Sequence, residues 1–268
     1  MEQDIISNQN EYFWNDLSGN SLANSIGIED LSSHSIKRFD DTYLTYYPYL
    51  LSYIRPERMS GKKVLEVGLG WGTIGQKIIE AGADYIGFDI AQNAVDMMNY
   101  RISIMGSSGT AIKGNILNNN FESESFDFIV SIGCFHHTGN IPRCIDETYR
   151  ILKPNGEAIL MLYNQFSLRQ WIKWPLNTFS NLFLGKQAVS EAQRKAYDTN
   201  TIGDSAPCTR FVSIREIKTL FSKFSSIESK KENCDDLMIL GRILLNRAIL
   251  LSYIGPLAGL DIYIQAIK

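Results

Sequence analysis

The residues with the clearest chemical potential begin at Val64, in the stretch VLEVGLGWG. Glu66 interrupts an apolar run, and Gly68, Gly70 and Gly72 follow at alternate positions. Glycines so spaced behind a strand let backbone N–H groups approach a ligand where a Cβ would clash. Asp89 closes a second apolar run, DYIGFDI. A carboxylate there can accept two sugar hydroxyls through charge-assisted hydrogen bonds. Asn115, in GNI, offers both a donor and an acceptor. His136 and His137 are two of the chain's three histidines and follow the run FDFIVSIG. His137 is the better candidate for a general base or hydrogen-bond anchor, with His136 beside it. The pair lacks a third ligand nearby, so no metal is expected.

The glycines fit two cofactors. Residues 70–75, GWGTIG, satisfy GxGxxG. That pattern would place a dinucleotide here, with Asp89 on its ribose, in an NAD-dependent oxidoreductase. The register opposes this reading. A dinucleotide site puts its first glycine directly at the strand end, whereas the glycine after Val67 is Gly68, from which the chain reads GLGWGT. Nothing downstream resembles a hydride-transfer site.

The elements that must hold these residues alternate. VLEVG, DYIGFDI, TAIKGNI, FDFIVSIG and EAILMLYN read as strands. Between them, Ile74, Ile78 and Ile79 mark a helix that Gly82 can cap, and Val95, Met98, Ile102 and Met105 mark another. A third helix, through Ile141, Ile145, Thr148 and Leu152, stops at the LysProAsnGly turn 153–156. Such alternation implies right-handed crossovers and a mostly parallel sheet, whose ligands bind outside the carboxyl ends of the strands. Gly68–Gly72, Asp89, Asn115, Ile132–His137 and Tyr163–Asn164 all fall on that edge.

Four segments follow from this pattern. Residues 1–61, rich in aromatics, read as a helical arm; residues 62–164 form the ligand-binding core. Residues 165–224 are a helical cap inserted after the fifth strand, made apolar by Trp171, Trp174, Phe179, Leu182, Phe183 and Leu184. Ser213 and Glu216 form a capping box in front of the helix that ends it. Residues 225–268 supply two last strands, FSSIESKKEN and LDIYIQAIK, around an apolar 237–258 segment expected to be a helix.

Composition narrows the function classes. The 268 residues are 44% hydrophobic, enough for a full core. Lys plus Arg number 26 and Asp plus Glu 29, a net charge of −3. That balance gives no broad claim on nucleic acid, so no nucleic-acid partner is expected. The cysteines, Cys134, Cys144, Cys208 and Cys234, are scattered and form no CxxC pair, as expected of free thiols in a reducing cytosol. The polar start MEQDIISNQN does not read as a signal peptide. The apolar run after Arg247 falls short of the ~20 residues a spanning helix needs. A soluble, cytoplasmic protein is expected, with loose membrane association left open; the oligomeric state is unreadable.

Taken together, E-x-G-x-G-x-G at Glu66–Gly72, YIGFDI ending at Asp89, GNI at Asn115, FDFIVSIGCFHHT and DETYRILKPNGEAILMLYN resemble, in order and spacing, class I S-adenosylmethionine-dependent methyltransferases. The match runs from about residue 62 to 164 and points to the small-molecule methyltransferase type 11 group. The resemblance implies a Rossmann-like, seven-stranded, mostly parallel α/β sheet with helices on both faces. It implies S-adenosylmethionine as cofactor and S-adenosylhomocysteine as product. Asp89 would hold the ribose and Asn115 would read the adenine. Ile90, Ile116 and Ile132 would sandwich the purine, with Gly133 beside them. Glu66 would bond within the turn or to the cofactor's amino group. Trp71 departs from the small residue usual at its place, so the loop is expected to pack differently there. Tyr163 and Asn164 would meet the acceptor, with Arg210 near the pocket and Tyr43, with Arg38, closing the arm. The reaction implied moves a methyl to an oxygen or nitrogen of a small metabolite: a sugar, a lipid-linked saccharide or a secondary metabolite. A cofactor-binding scaffold without turnover is the remaining alternative.

Overall fold

The computed structural model describes residues 2–17, 20–183, 188–239 and 242–268. Strands β1 (Lys63–Val67), β2 (Asp84–Asp89), β3 (Thr110–Lys113), β4 (Phe126–Ile132) and β5 (Leu152–Tyr163) run parallel to one another. β6 (Ser226–Glu232) is followed by a separate hairpin, β7 (Leu237–Ile239) and β8 (Arg242–Leu245), and then by β9 (Asp261–Ile267). The main sheet has seven strands in the order β3-β2-β1-β4-β5-β9-β6, with β9 antiparallel to both neighbours. The expected α/β sheet is therefore present. Its order reverses direction between β1 and β4, the position where open sheets leave a crevice.

Both faces of the sheet are covered, which is why its strands read as nearly unbroken apolar runs. Leu65, Val67, Ile129, Leu160 and Ile264 face one core. Val64, Val130, Ile159, Met161 and Tyr263 face the other. A strand alternates its side chains between faces. Glu66 therefore shares the second face with Val64, and a carboxylate there must find a partner.

The helices fall into four groups. The arm comprises α1 (Glu2–Leu17), α2 (Asn20–Ser25), α3 (Ser33–Tyr46) and α4 (Leu50–Ile54). The core carries α5 (Thr73–Glu80), α6 (Gln92–Met105) and α7 (Ile141–Ile151). After β5 come α8 (Leu168–Lys173), α9 (Pro175–Phe183), α10 (Glu191–Lys195) and α11 (Ile214–Leu220). α12 (Arg247–Tyr253) and α13 (Gly255–Ala258) precede β9. Among the described residues no helix is long and apolar enough to cross a membrane.

Two local expectations change. The apolar 237–258 segment is not one helix but a hairpin and two short helices. The side chain of Asn246 accepts from the Ile249 N–H at 3.0 Å and starts α12 afresh, and Pro256 opens α13. The capping box at Ser213 is half formed. Ser213 Oγ caps the Glu216 N–H, but the Glu216 carboxylate turns to Arg210 at 2.7 Å. Leu184 lies outside the described residues.

The arm is bolted on by a buried ion pair. Arg101, fully buried on α6, donates to both carboxylate oxygens of Asp40 on α3, at 2.9 and 3.0 Å. Thr73 donates to Asp40 at 2.6 Å, and Arg101 also reaches Gln76 at 2.6 Å. Trp71 is buried against Phe39 of α3, ring centroids 4.2 Å apart. The bulky residue in the glycine turn is thus the seat on which the arm rests.

Candidate functional site

A cavity of roughly 200 Å³ opens at the sheet's switch point. Its floor comes from β1 and its turn (Val67, Gly68, Gly70) and from β2 (Phe88, Asp89, Ile90). One wall is Asn115, Ile116 and Leu117; the other is Ile132, Gly133, Cys134 and His137. The roof is α1, through Ser7, Asn10 and Trp14, spaced to lie on one helix face.

The turn needs its glycines. Gly68 sits at φ +87°, and a Cβ on it would lie 2.6 Å from the Cβ of Cys134. Gly72, at φ +83°, opens α5, and a Cβ there would meet the Arg101 side chain at 2.8 Å. Gly72 therefore faces the bolt rather than the cavity. Asp89 binds the turn to β2, accepting from the N–H groups of Leu69 (2.7 Å) and Ala91 (2.8 Å). Burial raises its carboxyl above the ordinary range, and those N–H groups oppose the rise. Each oxygen keeps a lone pair for a further donor.

Glu66 does not line the cavity. It is buried behind the turn and accepts from Tyr85 Oη at 2.5 Å. Burial pushes its carboxyl up to about 8, with the tyrosine bond acting against the rise. Its hydrogen bond thus runs to β2, and not within the turn as one of its two expected roles would have it.

Asn115 Oδ1 accepts from the Leu117 N–H at 3.0 Å, and its Nδ2 donates to Ser7 Oγ at 3.0 Å. Asn10 is buried and donates to the His137 carbonyl at 2.7 Å. Its Oδ1 has no hydrogen-bond partner among the described residues. An orphan acceptor in the roof faces the Asp89 carboxylate and aliphatic walls, and that set fits a nucleoside with a vicinal diol. The residues present thus suit S-adenosylmethionine, the cofactor that the sequence resemblance implies.

His137 lies at the inner end. Its Nδ1 is 2.9 Å from the Cys208 carbonyl, so that nitrogen carries the proton and donates. Its Nε2 has no hydrogen bond among the described residues and stands 3.5 Å from Asp198 Oδ2. Burial lowers the imidazole's pKa, while Asp198 and the carbonyl pull it back up. Tyr163 Oη lies 3.2 Å from both oxygens of Asp198 and donates to that carboxylate. The Trp14 ring rests on His137 at 4.7 Å. His136 is fully buried between His137 (4.2 Å) and Tyr163 (3.8 Å) and does not line the cavity. Burial, then the neighbouring His137, hold it well below the usual imidazole range.

The other expected acceptor contacts are dispersed. Asn164 is buried and pins the strand end to Gly259, donating to its carbonyl at 2.7 Å. Tyr43 packs among Phe39 and Tyr47 in the arm, away from the cavity, and Arg38 is exposed. Arg210 pairs with Glu216, and its N–H donates to the His136 carbonyl at 2.8 Å. Its side chain borders a second, smaller pocket lined by Gln165, Gln170, Asn177, Asn181 and Gln193.

Sequence reasoning missed Ser7, Asn10 and Trp14. Their spacing on one face of α1 was the available signal, but nothing in it names what the face covers. Asp198 likewise received no role from the sequence.

Comparison with known proteins places this geometry. Residues 64–156 match the family described as a methyltransferase domain. A ubiquinone biosynthesis O-methyltransferase of Bartonella bacilliformis is 27% identical over 117 residues, 44% of this chain and 46% of that protein. A phthiotriol/phenolphthiotriol dimycocerosates methyltransferase of Mycobacterium ulcerans is 30% identical over 156 residues, 54% of this chain and 56% of that one. The chain spans about half the length of these curated relatives. The crystal structure of a methyltransferase-like protein from Bacillus halodurans superposes with a TM-score of 0.57 at 14% identity, covering 82% of this chain and 98% of that one. That likeness shows the fold.

Proposed function

Starting from residues 64–156 as a methyltransferase domain on the class I S-adenosylmethionine-dependent fold, we propose that this protein methylates an oxygen or nitrogen of a small metabolite. The observation that carries the reading is the free Nε2 of His137 at the end of a cavity suited to the cofactor, 3.5 Å from Asp198.

When bound, S-adenosylmethionine supplies an electrophilic methyl on a sulfonium whose leaving group is already activated. The chain must hold, orient and dry the site. Asp89 and Asn10 would accept from the nucleoside's hydroxyl and amino hydrogens, and Ile90, Ile116 and Ile132 would flank its ring. Trp14 and α1 exclude water. The Cys208 carbonyl fixes the Nδ1–H tautomer of His137, which aims the Nε2 lone pair at an acceptor's O–H or N–H. Once His137 takes that proton, Asp198 stabilises the imidazolium, and Tyr163 holds Asp198 in place. Acceptors in keeping with the relatives include lipid-like metabolites; sugars, lipid-linked saccharides and secondary metabolites all satisfy the chemistry.

Calorimetric titration with S-adenosylhomocysteine, with NAD⁺ in parallel, tests the reading. Micromolar binding of the former is expected. Asp89→Ala should weaken it by roughly a hundredfold or more, the value of hydrogen bonds to a charged group. Binding of NAD⁺ alone would overturn both the cofactor and the role given to His137.

A further inference from the structure

Helix α9 is inside out. Its polar residues turn inward: Thr178 is buried and donates to the Gln170 carbonyl at 3.0 Å, and Asn177 donates to Gln193 at 3.3 Å. Asn177 and Asn181 line the carboxamide pocket. Its apolar residues turn outward. Leu176 is 86% exposed, Phe183 70%, Phe179 58% and Leu182 49%, and Ile172 of α8 joins them. A helix in water normally arranges these faces the other way round.

A second apolar surface leaves the sheet beside the first. Tyr163 at the end of β5 and Glu232 at the end of β6 both pair with Asp261 at the start of β9. The insertion after β5 and the one between β6 and β9 therefore spring from the same edge, the edge that bears the cavity. Arg169 of α8 is bound to Asp235 at the root of the β7–β8 hairpin, Nε to Oδ2 at 2.6 Å. In this second insertion Ile243, Leu244, Leu245, Ile249, Tyr253 and Leu257 are exposed. The two segments hold most of the large apolar side chains exposed among the described residues.

Charge identifies what covers them. The chain has 29 acidic residues, yet none lies in 166–190 or in 237–260. Those stretches carry Arg169, Lys173, Lys186, Arg242 and Arg247 instead. Lys173 and Arg242 are exposed beside the apolar side chains. Asp235, which pairs with Arg169, and Asp236 lie at the root of the hairpin, and the exposed charges within the apolar surface itself, Lys173 and Arg242, are cations, which suits an anionic lipid headgroup layer with acyl chains beneath it. A second copy across a two-fold axis would set this cationic face against itself.

We propose that the protein docks peripherally on an anionic membrane through α8–α9 and the β7–β8/α12 segment, turning the ligand edge of its sheet toward the lipid. The proposal goes beyond the methyltransferase reading and does not depend on it.

Co-sedimentation of the full chain with vesicles of phosphatidylcholine containing phosphatidylglycerol, against vesicles of phosphatidylcholine alone, is the test. S-adenosylhomocysteine binding, measured on every variant, reports whether the core is folded and separates failure here from failure of the cofactor reading. Binding to the anionic vesicles is expected, with much less to the neutral ones. The double variant Leu176→Glu/Phe179→Glu should lower partitioning by roughly a hundredfold or more, because two large apolar side chains no longer enter the lipid. Ile243→Glu/Leu244→Glu should lower it comparably, and Lys173→Glu should remove part of the preference for anionic lipid. Absence of vesicle binding by protein that binds S-adenosylhomocysteine would overturn the proposal, as would binding that both double variants leave unchanged. A dimer in sedimentation velocity that these variants dissolve, without vesicle binding, would make a second copy the occupant.

Discussion

Replacing Arg101 by methionine should unseat the arm. Arg101 has no exposed surface, Asp40 is 5% exposed, and the two meet through paired bonds of 2.9 and 3.0 Å. Methionine keeps much of the volume but leaves the Asp40 carboxylate buried with only the Thr73 hydroxyl. Removing one partner of a buried pair costs about 3–5 kcal/mol, chiefly through the charge left behind. In a chain of this size each kcal/mol moves the melting temperature by about 2–4 °C, so a fall of roughly 10 °C is expected. Asp40→Leu/Arg101→Met removes both charges and should recover most of the loss, giving a coupling of at least about 2 kcal/mol in a double-mutant cycle. The assay is urea unfolding of the four proteins, with S-adenosylhomocysteine affinity measured alongside. Affinity should follow stability, because Arg101 also supports the turn at Gly72 and lies over the Trp71 ring at 5.9 Å. A loss below about 1 kcal/mol in the single variant, or a double variant that simply adds the two single losses, would refute the bolt.

Three further outcomes are expected. His137→Gln should lower kcat on a true acceptor by roughly a hundredfold or more while sparing S-adenosylhomocysteine binding. Because burial lowers the His137 pKa, the neutral base should persist below its ordinary titration range, with activity rising from the acid side and then flat. Asp198→Asn removes a charge that favours the imidazolium, so it should move that acid limb further down; a limb unmoved in pH–rate profiles would remove Asp198 from the mechanism. Glu66, pushed up to about 8 by burial, binds its proton more tightly folded than unfolded. Its contribution is complete below the unfolded carboxyl's pKa and is lost as pH rises through about 8, so stability should decline from mildly acidic pH toward 8. Urea unfolding of Glu66→Gln across that range should show a flatter slope, and an unchanged slope would exclude Glu66 as the source.

The core was legible because parallel strands buried on both faces leave unbroken apolar runs such as VLEVG and FDFIVSIG. Each run ends where a polar residue must face the switch point, and Asp89, Asn115 and His137 all line the cavity there. Glu66 was legible as an exception but not as to its side, since the decisive partner, Tyr85, sits on another strand. Asp198 escaped because its relation to His137 is set by the path of the cap, which has no period to read. The 237–258 segment misled because isoleucine and leucine suit strand and helix alike. There Asn246 and Pro256 carried more information than the run around them.

The seam beneath α1 has a kinetic consequence. Gln3 and Asn10 donate to the carbonyls of Thr138 and His137, Ser7 accepts from Asn115, and Asp16 accepts from Thr201. Bonds of this kind exchange for water at little net cost, while Phe13, Trp14 and Leu17 lose apolar contact when the helix lifts. A ligand beneath this roof is expected to leave when the helix lifts. Release of S-adenosylhomocysteine and amide hydrogen exchange along 2–17 should then share one rate, and a release much faster than exchange would show another exit.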